Sequence, residues 1–268
     1  MVSTRAFFVG VAALATVAYG APAAPCKPAP GPGPAPKPTT TYVLPSTGST
    51  DLTPPAAGLV LKRIAIGHGI QNYSCDASPS AVPVAKGALA VLYDATPLYP
   101  GTPKALDTRA KFDALSTQTL WTKAIPLNLA NPAAAAAGAV LPSKQYGAAA
   151  QPWKAPRNLE FQGLPPIKFL GHHYFDAEGQ PTFDLTEAGL KASVKKTGEV
   201  NQPANADAGP LGTGSVKWLL LEDNGKGLSN GVKAVYRVIT AGGGGDACAK
   251  AGEGLHSVPY TAQYWFYG

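Results

Sequence analysis

The chain has 268 residues, of which 14% are charged, with 30 glycines, 27 prolines and a formal net charge of +6. So few charges and so many helix breakers argue against a helical cytosolic enzyme and suit a loop-rich extracellular β-protein. The basic excess is scattered, and its one local cluster, Lys191, Lys195 and Lys196, reads as a solvated face, so no nucleic-acid partner is expected.

Residues 1–20 read as a signal peptide. Arg5 supplies the positive start, Ala6 to Ala18 the apolar run, and Ala18 and Gly20 the small residues before a junction with Ala21. No later stretch supplies the roughly 18 apolar residues of a spanning helix, so a secreted, extracellular product with no membrane span is expected. Residues 21–55 alternate proline with alanine, glycine and lysine before Thr39-Thr-Thr41. Proline cannot donate a backbone hydrogen bond, so a disordered, extended Pro/Thr-rich linker is predicted there. Cys26 lies inside it, as a free thiol or an intermolecular bridge.

Residues 56–268 form a single domain in which β-rich runs follow one another. Leu59 to Ile66, Gly69 to Cys75 and Gly87 to Asp94 come first. Asn131 to Gln151 is rich in alanine but broken by Pro132, Gly138, Pro142 and Gly147, which predicts a long loop with at most a short helix. Ser215 to Leu221, Gly231 to Thr240 and Tyr260 to Tyr267 are the late strands, with Asp223-Asn-Gly225 as a turn between the first two. With no helical interlude among them, the pattern predicts an all-β antiparallel sandwich or barrel with long loops. Cys75 and Cys248 are the two cysteines outside the leader and linker, and in an exported protein they are expected to form a disulfide. Asn72-Tyr-Ser74 is the chain's N-x-S/T sequon, a glycosylation site if Asn72 faces solvent and Tyr73 the core.

Six segments in order carry a family resemblance: Gly69-x-Gln71-Asn-Tyr-Ser-Cys75, Gly87-Ala-x-Ala-x-Leu-Tyr-Asp94, Gly171-x-His-Tyr-Phe175, Val216-x-Trp-Leu-x-Leu221, Val235-Tyr-Arg-Val-x-Thr240 and Val258-Pro-Tyr-x-Ala-x-Tyr-Trp-Phe-Tyr267. Together they resemble the DUF3455 family, in its fungal branch. The resemblance implies a β-rich extracellular domain and brings no established catalytic residues. Some members bear the label malate dehydrogenase, which the residues disfavour. Gly242-x-Gly244-x-x-Ala247 fits a dinucleotide fingerprint in spacing, but too little chain follows it for a helix, a second strand and an acidic ribose ligand.

Among the histidines, His68, His172, His173 and His256, the pair in Gly171-His-His-Tyr-Phe-Asp176 is the candidate for hydrolytic or metal-dependent chemistry, with Asp176 and Glu178 nearby. Neighbours in a strand point to opposite faces, so His173, at the family-matched position, is expected to be the inward and less exposed one. Neither HExxH, GxSxG nor a metal-binding cysteine set occurs, so neither a metal nor a cofactor is expected. For ligand binding, Trp153 between Pro152 and Pro156 is the candidate exposed ring, while Trp218 and Trp265 sit in apolar runs. The resulting expectation is a structural or interaction protein of the cell wall or host interface, carbohydrate-binding or effector-like, with a polysaccharide or host surface as partner. The alternative is a small secreted hydrolase or metal-dependent enzyme centred on His173.

Overall fold

The computed structural model describes residues 40–78, 80–152 and 156–268, the side chains of 148–152 excepted. Eight strands close into one barrel. In chain order these are β1 (Leu61–Cys75) and β2 (Val84–Asp94), then β5 (Lys168–Phe175), β6 (Pro181–Leu185), β7 (Leu190–Val200), β8 (Trp218–Asp223), β9 (Ala234–Gly242) and β10 (Gly254–Tyr267). Each is antiparallel to the next, and β10 returns to pair with β1. Closure settles the choice between sandwich and barrel, and it removes the sheet edges that would otherwise template aggregation.

Two expected strands are one. Gly67 and Gly69 lie inside the 15-residue β1 instead of ending a strand, because their inward faces have no room for side chains. A Cβ on Gly67 would meet the Tyr264 ring, and one on Gly69 would collide with the Leu89 carbonyl oxygen. Glycine here marks close approach within a strand.

Strand alternation sorts the residues onto two faces. Inward are Ala88, Ala90 and Leu92 of β2, Phe183 of β6, Val194 of β7 and Tyr260, Ala262, Tyr264 and Phe266 of β10, which share one buried cluster. Outward are Ile64, Ile66, Tyr93, Tyr236, Val238 and Trp265, which belong to a second, larger core outside the barrel wall. Two segments cover that outer core. One is the excursion between β2 and β5, which contains α1 (Arg109–Asp113), α2 (Leu115–Thr122) and a small pair of strands, β3 (Leu127–Leu129) and β4 (Ala148–Pro152). It forms most of the expected loop from Asn131 to Gln151, which adds single turns of 3-10 helix at Pro132–Ala135 and Ser143–Tyr146.

The other covering segment starts at residue 40. Residues 40–55 were expected to continue the free linker, yet they run along the barrel with Tyr42, Leu44 and Leu52 packed on the outer core. Tyr236 Oη donates to the Thr53 carbonyl at 2.9 Å, and Arg109 Nη1 donates to the Val43 carbonyl at 2.8 Å. The apolar side chains of Tyr42, Leu44 and Leu52 explain the difference, since a proline-rich stretch needs only a few such anchors to lie on a surface. Residues 1–39, which hold the expected signal peptide, Cys26 and most of the linker, lie outside the described residues.

Apolar contact, more than charge, holds this cover down. Burying a ring such as Phe112, which is fully enclosed, contributes about 1.5–3 kcal/mol. The exposed Lys111–Asp107 pair on the same helix region belongs to a class worth about 0–1 kcal/mol.

Gly171 provides a direct check on barrel closure. A Cβ there would collide with the backbone carbonyl of Asp184 on β6, where the neighbouring chain cannot move without breaking the sheet. Gly171→Ala is expected to lower stability by about 3 kcal/mol or more, above the roughly 1–2 kcal/mol that a positive φ costs Ala at exposed Gly163 or Gly179, where nothing obstructs a Cβ. Thermal or urea denaturation of the three variants measures the difference.

Candidate functional site at the barrel mouth

The barrel is solid along one part of its length and hollow along the other. In the solid part, His173 lies flat on Phe183, with ring centroids 4.0 Å apart and planes 4° apart, and both rings meet Tyr264. Phe183 also meets Phe266 edge-on. The hydroxyls of Tyr260 and Tyr264 share a hydrogen bond at 2.9 Å. Burial raises the pKa of both phenols, so they stay neutral.

At the end where β1, β5 and β7 finish, the interior opens into a cavity of about 1000 Å³. Gln71 and Tyr73 reach it from β1, Phe175 from β5, Leu219 from β8 and Arg237 from β9. Their register explains the convergence. Arg237 is opposite Leu219, and Tyr73 is opposite both Ala85 and His256, all on the inward face.

The wall beside Tyr73 is the four-glycine loop. Tyr73 Oη donates to the Gly243 carbonyl at 2.5 Å. Gly243 has a left-handed φ of 89°, and a Cβ there would press on Tyr260 and Gln71, so only glycine fits comfortably. Gly242-x-Gly244-x-x-Ala247 therefore packs the mouth. The helix that follows, α3 (Cys248–Ala251), has four residues and leads into an antiparallel strand, not the parallel crossover that a dinucleotide site requires. Cys248 is bonded to Cys75 with Cα atoms 5.4 Å apart, which ties the glycine loop to the end of β1.

A β-bulge near the end of β9 adds to this shaping. The register against β10 slips between Thr261 and Gln263, and Ile239 takes a φ of 46°. A β-branched residue in that region is strained, and bulges re-aim the residues beside them. Thr240 on the bulge holds the approach to the mouth by donating to the Val216 carbonyl at 2.7 Å and accepting from Ser215 Oγ at 2.8 Å.

Charge is unevenly distributed in the cavity. Lys86, Lys196, Lys217 and Arg237 line it against Asp176 and Glu199, an excess of two positive charges. Glu199 accepts from Lys196 and Lys217, each at 2.6 Å, and these bonds hold its carboxyl at about 2. The Asp176 carboxylate is occupied by the backbone N–H groups of Glu178 and Gln180 in the β5–β6 turn. Arg237 Nε and Nη2 donate to the Lys217 carbonyl at 3.2 and 3.0 Å, and among the described residues no carboxylate pairs with it. Gln71 is only 6% exposed, and its Nε2 has no hydrogen-bond partner among the described residues.

The sequence-derived candidates are only partly at this site. Asp176 lines the cavity, but no histidine does. His173 is 4% exposed, and its Nδ1 donates to the Thr182 carbonyl at 2.9 Å. Among the described residues no carboxylate bonds its ring, so His173 and Asp176 do not form the pair that hydrolysis would need. His172 faces outward, half-buried against Phe169. Lys196, expected on a solvated face, reaches the cavity because it stands two residues beyond the inward Val194 on β7. Trp153 lies outside the described residues. Asn72 is half-buried and outward while Tyr73 is inward, and Asn72 Oδ1 accepts from Ser257 Oγ at 2.7 Å. Among the described residues, no cluster of three His, Cys, Asp or Glu could hold a metal, and no helix is long and apolar enough to cross a membrane.

Sequence reasoning missed Gln71 and Arg237. The available signal was polarity at an inward position: each stands two residues from another inward residue in a β-rich run, where a purely structural barrel would place an apolar side chain.

Fold and site together define an up-and-down, closed β-barrel with a polar, positively charged cavity at one end. The chain belongs to the family described as "Protein of unknown function (DUF3455)", whose model matches residues 55–268. No curated protein and no solved structure matches it.

The buried imidazoles give the fold a defined response to acid. Burial pushes both His68 and His173 down to about 4 from the ordinary 6.5. His68 is held neutral between the Lys123 carbonyl and Thr261 Oγ1, each at 3.2 Å. Between those values the unfolded chain binds protons that the fold refuses, so their contribution is complete above pH 6.5 and declines as pH falls toward 4. The expected loss is about 1–3 kcal/mol per imidazole across that window. Replacing His173 with Phe, which keeps the ring on Phe183, should flatten the pH dependence of thermal stability between pH 7 and 4. An unchanged slope would contradict this origin.

Proposed function

We propose that this is an extracellular binding protein that holds a small ligand in the mouth of its barrel. The observation that carries the reading is the cavity of about 1000 Å³ with Arg237 in its wall, a guanidinium that no carboxylate pairs among the described residues. Ligand sites are concave, partly apolar and fitted with a few directed polar groups, and a closed barrel of this size has room for one such ligand. A guanidinium without a counter-ion on the wall of a cavity is a ready partner for a ligand acceptor. Secretion is supported by the leader-like residues 1–20 and by the disulfide. Host-interface or cell-wall action, and a glycan on Asn72, belong to the same reading.

A hydrolytic role has less support. A nucleophile, a base and an orienting carboxylate must lie within hydrogen-bond reach of one another, and His173 spends its Nδ1 on a backbone carbonyl inside a ring stack.

Screening a small-molecule library by thermal shift tests the proposal. A ligand at about 100 times its Kd should stabilise the protein by about 2.7 kcal/mol. Leu219→Trp, which fills the mouth, should abolish that shift while leaving the free protein folded. Substrate turnover that His173→Ala removes and Leu219→Trp leaves intact would favour the enzyme instead.

A further inference from the structure

We infer that the mouth is built for an organic anion: a flat or apolar body lying against Phe175 and Tyr73, and an acidic group on Arg237. This rests on the binding reading above and specifies its ligand class.

Three observations lead to it. The first is charge. Lys196 and Lys217 share the single carboxylate of Glu199, and Asp176 Oδ1 bonds only the backbone of its own turn, so Arg237 and Lys86 at the rim are the lining cations without a carboxylate partner among the described residues. Arg237 is half-buried and anchored through Nε and Nη2 to the Lys217 carbonyl, which fixes the plane of its fork. An arginine held in place without a carboxylate partner is a receptor for a planar or tetrahedral anion.

The second is the direction of hydrogen bonding. Gln71 Nε2 is a donor without an acceptor, and the guanidinium can only donate. The guanidinium therefore asks the ligand for acceptor oxygens, while Gln71 Nε2 is enclosed within the wall, out of a ligand's reach. An oxygen-rich acid meets this demand with charge as well as with acceptors.

The third is the apolar surface. Phe175 is 38% exposed although it sits at an inward position, and its ring lies over the Cα of Gly87, where a Cβ would clash with it. Tyr73 is held on the other side by Gly243 and stacked on His256 at 5.6 Å. Two fixed rings beside a guanidinium suit an amphipathic acid better than a free inorganic anion.

A matched pair of fluorescent probes tests the class. Anilinonaphthalene sulfonate carries the anion, and phenylnaphthylamine has the same ring skeleton without it. Titrated into the full chain, the sulfonate should bind about tenfold or more weakly to Arg237→Gln than to the wild type. The uncharged probe should change by less than about threefold. Arg237→Lys, which keeps the charge, should recover part of the sulfonate affinity, and added salt should weaken the sulfonate alone. Leu219→Trp should exclude both probes, placing them in the mouth.

Unchanged sulfonate binding to Arg237→Gln, or an equal loss for both probes in Arg237→Gln and Arg237→Lys alike, overturns the anion assignment and leaves the binding barrel in place. Failure of both probes to bind the wild type, or binding that Leu219→Trp leaves intact, counts against the mouth as a binding site and against both readings.

Discussion

An eight-stranded barrel encloses little more volume than side chains can fill, so every inward residue decides whether its layer is solid or open. Here the decision changes along the barrel. Gly67, Gly69, Ala88, Ala90 and Ala262 leave room on one wall for the rings of Tyr260, Tyr264, Phe183 and Phe266, and these plug the interior. Past that plug the inward positions include Gln71, Tyr73, Lys196 and Arg237, whose polar ends cannot pack against one another without losing water, and the interior opens. One pattern of small and large residues thus sets the strand spacing, the core and the depth of the site.

The open end needs support that packing does not provide, and it receives it from outside the layer. The disulfide joins the end of β1 to the loop that follows β9, closing a separation of 173 residues. Between those anchors, Tyr73 bonds the Gly243 carbonyl and His256 stacks on Tyr73 while its Nδ1 lies 3.9 Å from Cys75 Sγ. On the far side of the wall, the apolar jacket of residues 40–60 and of the β2–β5 excursion supplies a second core. A barrel hollow at one end is thereby rigid enough to hold polar side chains at fixed positions, as a binding site requires.

Much of the architecture was legible in the residues. β-rich runs separated by turn residues announced antiparallel strands, and two cysteines in an export context announced their pairing. Closure was not legible, because sandwich and barrel strands share the same alternation of faces. β1 was divided at Gly67 and Gly69 because glycine reads locally as a turn, while its reason here is the Tyr264 ring from a strand almost two hundred residues later. The site was harder still. His173 attracts attention as chemistry, yet its partners are Phe183 and a backbone carbonyl. Arg237 reads as an ordinary charge in a strand until the register places it opposite Leu219, facing the cavity.

The central claim is that the protein works through the open end of its barrel. Hydrogen–deuterium exchange of the full chain, with and without saturating anilinonaphthalene sulfonate, tests it most directly. The account predicts that protection gained on binding concentrates in residues 71–75, 217–221 and 242–245, the segments that form the mouth and its glycine loop, with the outer helices unchanged. Protection confined to α1, α2 and the jacket around Trp121, with the mouth unaffected, would contradict it.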